Sequence, residues 1–210
     1  MKSAIVRSPR KAKGQGAERR QEILDAALAL YAARGIHAVS TRDIAAAAGI
    51  SQPALYAYFP SRDEITAVLC EEAFFQLRAR VETATDGLVP SRDSFKRFCR
   101  VYIDFGLEQP DAYRVAFMIE KARAGLDDAN ERAMAAGLEA FGSFRAQVAR
   151  FIAAGMTRPG DEPLLTQSLW AGLHGLASLL IARPGFPWVE LEALIARHID
   201  VLADGVLNPA

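Results

Sequence analysis

Cysteine is scarce in this chain: Cys70 and Cys99 are the only two among 210 residues. Two such residues provide no disulfide framework and match no metal-ligand spacing, so they read as buried thiols in a reducing compartment, and a cytoplasmic protein is expected. Histidine is scarcer than catalysis or metal binding would favour. His37, His174 and His198 fall in a turn and on two different helices. Nucleophile-elbow, phosphate-loop and zinc-protease patterns are absent, which argues against an enzyme and leaves no cofactor or metal to expect. The basic start has no apolar stretch behind it, and no later run reaches about 18 uninterrupted apolar residues, so neither secretion nor membrane spanning is expected. Alternating β-branched patterns are also missing, which excludes a sheet-based fold.

Net charge is absent as well, with 25 basic and 25 acidic residues, but the balance conceals a split. Residues 1–62 hold ten Lys or Arg against four Asp or Glu, and the remainder carries the opposite excess. A basic head on an acidic body suits a polyanion partner, because cations that neutralise phosphates release counterions. Arg7, Arg10, Lys11 and Lys13 lie in an arm, residues 1–17, that reads as disordered and able to add nonspecific or minor-groove contacts.

What the chain does contain is helix, punctuated by Gly and Pro. The spacing predicts an all-α protein of about nine helices. The first covers Glu18 to Arg34, with Ile23, Ala27, Leu30 and Tyr31 on one face and Gly35 ending it. Ser40 caps a second helix, with Asp43 completing a capping box and Ile44 and Ala48 pointing inward; Ser51 caps a third, with Pro53 in its first turn. Ser61 and Glu64 form another box at the start of a fourth helix reaching about Thr83. A fifth fits 92–107, a sixth opens at Pro110 and fades near residues 124–128, a seventh covers Asp128 to Gly155, and two more fit 164–182 and 188–206.

The stretch STRDIAAAAGISQPALYAYF, residues 40–59, carries the functional signal. Leu55 and Phe59 are four apart and share the inner face of the third helix, which leaves Gln52, Pro53, Ala54, Tyr56 and Tyr58 on or beside its outer surface. Two short helices joined by a tight turn, the second with a polar outer face, form a helix-turn-helix that enters the major groove of double-stranded DNA. The Gln52 amide suits paired hydrogen bonds to a base edge, and the phenols of Tyr56 and Tyr58 suit phosphate oxygens or a thymine methyl. Thr41 and Arg42 stand where the flanking strand would pass. Arg62 adds a phosphate-seeking charge.

Residues 23–65, ILDAALALYAARGIHAVSTRDIAAAAGISQPALYAYFPSRDEI, resemble the N-terminal DNA-binding domain of the TetR family of bacterial transcriptional regulators. That resemblance implies phosphate contacts for Thr41, Tyr56 and Arg62, and approach to bases for Arg42, Gln52, Pro53, Ala54 and Tyr58. Arg62 stands where lysine is usual and Tyr58 where histidine is frequent. Further on, LWAGLHGLASLL, residues 169–180, is similar to the Trp-x-x-x-His-Gly signature of one class of C-terminal domains in the family, often called WHG. The implied plan is a DNA-binding domain over 18–64 and a ligand-binding and dimerisation domain over 65–210.

Two residue patterns agree with that plan. Phe98, Tyr102, Phe105, Phe117, Met118, Phe141 and Phe144, together with Trp170 and His174 of the signature, are the candidate contacts for a small apolar or aromatic effector. Leu169, Leu173, Leu176 and Leu180 on the eighth helix, with Leu191, Leu194, Ile195, Ile199 and Leu202 on the ninth, form stripes suited to a four-helix homodimer interface. The expected function is a ligand-responsive regulator, a repressor released from its operator, with activation using the same parts in the opposite sense. The alternative is a helical small-molecule-binding or interaction protein without specific DNA binding.

Overall fold

The computed structural model describes residues 16–118 and 128–209. The expected basic arm therefore lies outside the described residues up to residue 15, as does most of the stretch in which the sixth helix is expected to fade. Gly16 and Ala17, assigned to the arm from sequence, already belong to the first helix.

Nine α-helices are present among the described residues: α1 (Gly16–Arg34), α2 (Thr41–Ala47), α3 (Gln52–Tyr56), α4 (Arg62–Thr85), α5 (Arg92–Glu108), α6 (Pro110–Tyr113), α7 (Asp128–Ala153), α8 (Glu162–Ala182) and α9 (Leu191–Val206). The only extended pairing among them is an isolated antiparallel bridge between Thr157 and Leu207. Periodicity did not signal the 3-10 turn Ile36–Ala38 or the π-helical turn Arg114–Met118, since both are too short to carry a period. Two compact units can be distinguished. One takes the chain through Ala73 together with Asp111–Ala135, the other Phe74–Pro110 with Ala136 onward. Beside the expected division at residue 64, the start of α4, the described residues 111–118 and the start of α7 group with the head.

In the first unit α1 packs on α2, and α2 on α3. Ile23, Leu24, Ile44, Leu55 and Ile65 are each fully buried, and Phe59 is 1% exposed. Removing a side chain of this size from water contributes roughly 1.5–3 kcal/mol. Ala45 rather than Ala48 completes the inner face of α2, and Leu24 rather than Leu30 that of α1; Ala48 and Leu30 are only half-buried. The turn between α2 and α3 needs Gly49, whose φ of 68° disfavours any residue with a Cβ. Gly35 plays the same part after α1 at φ 77°.

Long-range polar ties fix the head further. The Arg20 guanidinium lies 4.8 Å from the centroid of the Phe59 ring. Tyr31 Oη and Thr66 Oγ1 are 3.3 Å apart, joining α1 to α4. Ser61 Oγ accepts from the Glu64 N–H at 3.0 Å, but the box is only half made. The Glu64 carboxylate is taken by Arg132 of α7 at 2.7 Å, and the same guanidinium donates to Glu71 at 2.9 Å.

The second unit is built around α5, which packs against both α8 and α9. Its capping box is Ser91 with Ser94, and its buried face carries Phe95, Phe98, Cys99, Tyr102, Ile103 and Phe105. α8 is long and apolar enough by composition to cross a membrane. Here Leu169, Leu173, Leu176, Ala177 and Leu180 are buried within the chain, as in a core helix. Arg100 holds α5 to α9 by donating to both Glu192 oxygens, at 2.6 and 3.0 Å.

Candidate functional site

The head presents a helix-turn-helix whose local rules are those read from the sequence. Ser40 Oγ accepts from the Asp43 N–H at 3.2 Å and the Asp43 carboxylate accepts from the Ser40 N–H at 2.9 Å, so α2 starts at a fixed residue. The Ser40 hydroxyl, which donates to the Asp43 carboxylate at 2.5 Å, and the Ser40 N–H together hold the Asp43 carboxyl below the usual carboxylate range. Ser51 Oγ accepts from the Ala54 N–H at 3.3 Å, and Pro53 sits in the first turn of α3. With Leu55 at 0% and Phe59 at 1% exposure, the opposite side of α3 must face outward, and Tyr56 and Tyr58 are 46% and 38% exposed. Arg42 and Pro53 are exposed too, while Thr41, Gln52 and Ala54 are half-buried. The structure thus gathers Thr41, Arg42, Gln52, Pro53, Ala54, Tyr56 and Tyr58 on the helix-turn-helix.

Gln52 differs from the sequence expectation. Its Nε2 donates to Thr41 Oγ1 at 3.0 Å and to Tyr56 Oη at 3.3 Å, and the two hydroxyl oxygens are themselves 3.2 Å apart. The amide that was expected to make paired bonds to a base therefore has its nitrogen engaged within the head. Hydrogen bonds from Thr41 and Gln52 lower the Tyr56 pKa. One turn separates Gln52 from Tyr56, a spacing visible in the sequence, but Thr41 reaches them only through the turn at Gly49.

Arg62 also departs from expectation. Its guanidinium donates to the carbonyls of Ile36 and Val39 at 3.3 and 3.4 Å, and lies 3.7 Å from Asp63. The Ile36 carbonyl also accepts the turn-closing bond from the Val39 N–H at 3.3 Å, so the guanidinium takes its second lone pair and bonds the Val39 carbonyl beside it. Arg62 thereby ties the start of α4 to the connection between α1 and α2.

The expected effector residues divide between the two units. Phe117 and Met118 belong to the first, where the Phe117 ring packs 4.8 Å from Tyr113. In the second, Phe98 and Phe144 lie 4.7 Å apart, Phe141 and Trp170 5.7 Å, and Trp170 and His174 5.5 Å. Phe98 and Phe105 are fully buried, with Tyr102 at 2% and Phe144 at 5% exposure. These four form the core wall, whereas Phe141, Trp170 and His174 keep accessible surface.

A polar chain runs along these rings. Trp170 Nε1 donates to Tyr102 Oη at 3.0 Å, Tyr102 Oη lies 3.5 Å from His174 Nδ1, and His174 Nε2 lies 3.1 Å from Ser178 Oγ. Burial lowers the His174 pKa, favouring the neutral ring. Between α4 and α5 the same unit has an open cleft of about 470 Å³ lined by Arg80, Thr83, Arg97, Val101 and Asp104 among others, none of them an expected effector contact.

The expected dimer stripe is turned the other way. Leu169, Leu173, Leu176, Leu180, Ile195 and Ile199 are all at most 8% exposed within the single chain, because α5 already covers them. Leu191, Leu194 and Leu202 keep accessible surface. Sequence reasoning missed the outward residues Leu164, Leu179 and Val201, exposed at 68%, 52% and 52%. Leucines recur on several faces of α8, which has only one charged residue, Glu162, by which to tell its inner side from its outer.

Known proteins place this geometry. The family described as bacterial regulatory proteins of the tetR family matches residues 23–69, and a Tetracyclin repressor-like C-terminal domain matches residues 95–202, a span that includes Trp170, His174 and Gly175. The chain belongs to the TetR family. It is 28% identical to the nucleoid occlusion factor SlmA of Haemophilus influenzae over 123 residues, 56% of each chain. It is 42% identical to the HTH-type transcriptional repressor KstR2 of Rhodococcus jostii over 72 residues, 32% of this chain and 35% of KstR2. The chain thus spans about half or less of the length of these curated relatives. A solved structure of a tetR-family regulatory protein from Rhodococcus RHA1 shares the fold, with a TM-score of 0.77 at 17% identity over 92% of this chain and 99% of that one. TetR-family regulators bind operators and small-molecule effectors and act as dimers.

Proposed function

We propose that this chain is an effector-responsive, sequence-specific DNA-binding regulator that acts as a homodimer and represses by occupying promoter DNA. The observation that carries the reading is the polarity of α3, with Leu55 and Phe59 inside and Tyr56 and Tyr58 outside on a helix-turn-helix. In this reading Arg42, Pro53, Ala54 and Tyr58 approach base edges, while Thr41 and Tyr56 contact phosphate. Two heads on one dimer meet half-sites roughly 34 to 36 Å apart, or a multiple of that.

The effector is a small apolar or aromatic molecule. It touches the accessible rings of Phe141 and Trp170, and the Tyr102–His174–Ser178 chain supplies the few polar groups that orient it. Its binding weakens operator affinity through a coupling of about 1–3 kcal/mol. Dimerisation uses the outward face of α8 and α9, with Leu164, Leu179, Leu191 and Val201 as its apolar contacts.

The test is a titration of the purified chain against its own upstream intergenic DNA and a scrambled duplex of equal length, at two salt concentrations. A native-duplex preference of about a hundredfold or more, with binding that weakens at the higher salt, is the expected result. Equal binding to both duplexes, followed by no enrichment in a genome-wide fragment selection, overturns the reading in favour of a helical binding protein that does not read DNA.

A further inference from the structure

The hydrogen-bond inventory of Thr41, Gln52 and Tyr56 restricts what this cluster offers to DNA. Primary amide nitrogen has two N–H donors, and each hydroxyl has one donor and two acceptor lone pairs. Gln52 Nε2 lies 3.0 Å from Thr41 Oγ1 and 3.3 Å from Tyr56 Oη, so both amide protons have acceptors inside the cluster. Thr41 Oγ1 and Tyr56 Oη are 3.2 Å apart, which uses one of the two hydroxyl protons. One hydroxyl proton is left for an external acceptor. Paired recognition of adenine through N6 and N7 needs the Gln nitrogen as donor, and here that nitrogen is occupied.

We propose that Gln52 is a positioning residue, whose Nε2 locks Thr41 and Tyr56 into one hydroxyl pair that presents a single proton to a DNA phosphate oxygen. This rests on the reading that the head binds DNA. Gln52 then raises affinity for every duplex alike and leaves the choice of base to Arg42, Pro53, Ala54 and Tyr58. Position supports the assignment: Tyr56 is outward and accessible, whereas Gln52 is half-buried between it and Thr41. The lowered Tyr56 pKa follows from the same two bonds and makes the phenol a better donor to a phosphate.

The test uses the full chain and a randomised duplex library, with the enriched motif read by sequencing and affinities for one enriched and one scrambled duplex read by anisotropy. Gln52→Ala is expected to enrich the wild-type motif while losing about tenfold in affinity on both duplexes. The double variant Gln52→Ala with Tyr56→Phe is expected to lose clearly less than the sum of the two single losses, because the amide acts through the hydroxyl pair that Tyr56→Phe already breaks. Unchanged thermal unfolding of Gln52→Ala shows that the head remains folded. A motif altered at one base pair in Gln52→Ala, or fully additive losses in the double variant, overturns the positioning role while leaving DNA binding intact. Wild-type protein that retains no duplex from the library overturns the DNA-binding reading itself, and the proposal with it.

Discussion

Arg62 Nη1 lies 3.3 Å from the carbonyl oxygen of Ile36, across 26 residues of sequence, so a charge placed for phosphate by its position in the chain is anchored to the protein's own backbone. The same nitrogen reaches Val39 at 3.4 Å. Arg62→Ala is therefore expected to destabilise the head by about 1–3 kcal/mol, as partly buried carbonyls lose a charged donor. The slope of DNA affinity against salt should stay at its wild-type value. A denaturant melt and a salt titration check the two halves. A slope reduced by about one phosphate contact without loss of stability would return Arg62 to the DNA interface.

Leu173 and Val201 contrast the core with the outer surface of α8 and α9. Leu173 is fully buried, and Leu173→Ala is expected to cost about 2–5 kcal/mol at any protein concentration. Val201 is 52% exposed on α9, and Val201→Glu is expected to leave the monomer folded while shifting sedimentation from dimer to monomer. Intact dimers in Val201→Glu would move the interface elsewhere.

His174 gives the second unit a pH dependence of defined sign. Burial lowers its folded pKa below the ordinary histidine value of 6.5, so the unfolded chain binds the proton more readily. Above that value neither state carries the proton and stability is flat; below it stability falls as pH drops toward the folded pKa. Unfolding from pH 7 to about 5.5 should show this decline, and His174→Gln should remove it. Glu192 and Asp200, held low by Arg100 and Lys96, stabilise above the usual carboxylate range and lose that contribution only in stronger acid.

Gly172 faces Leu202 where α8 meets α9. A Cβ at Gly172 would stand 2.9 Å from Leu202 Cδ2. That atom is the end of a movable side chain, so Gly172→Ala sets a rotamer change of about 0.5–1.5 kcal/mol against a helix-propensity gain of about 1 kcal/mol. The net stability change should stay within about 1 kcal/mol. Gly172→Val adds branching that one rotamer change does not clear, and an overpacking loss of about 1–3 kcal/mol is expected by calorimetry.

The parts that were legible in the sequence are those set by local chemistry. Ser40 and Ser51 mark helix starts because their hydroxyls satisfy backbone donors one turn on, and Leu55 with Phe59 fixes the inner face of α3 because side chains four apart share it. The partners of Gln52 and Arg62 were not legible, since Thr41 is 11 residues from Gln52 and the carbonyls of Ile36 and Val39 carry no side-chain signature. Glu64 shows both cases: its N–H follows the capping rule, while its carboxylate goes to Arg132, 68 residues away. On α8, Leu169 and Leu179 look alike in sequence, and only packing by α5 makes one core and the other surface.

Both thiols are enclosed: Cys70 and Cys99 have no accessible surface, the Cys70 thiol lies 3.5 Å from the Val115 carbonyl, and burial pushes the Cys99 thiol far above its usual pKa. Thiol-directed reagents consequently find a silent background in the folded chain. A single cysteine introduced at exposed Ala46 of α2 can carry a spin label or fluorophore without removing either native residue. In a symmetric pair of chains each copy then bears one probe on its head, and pulsed dipolar spectroscopy reads the distance between them with and without effector.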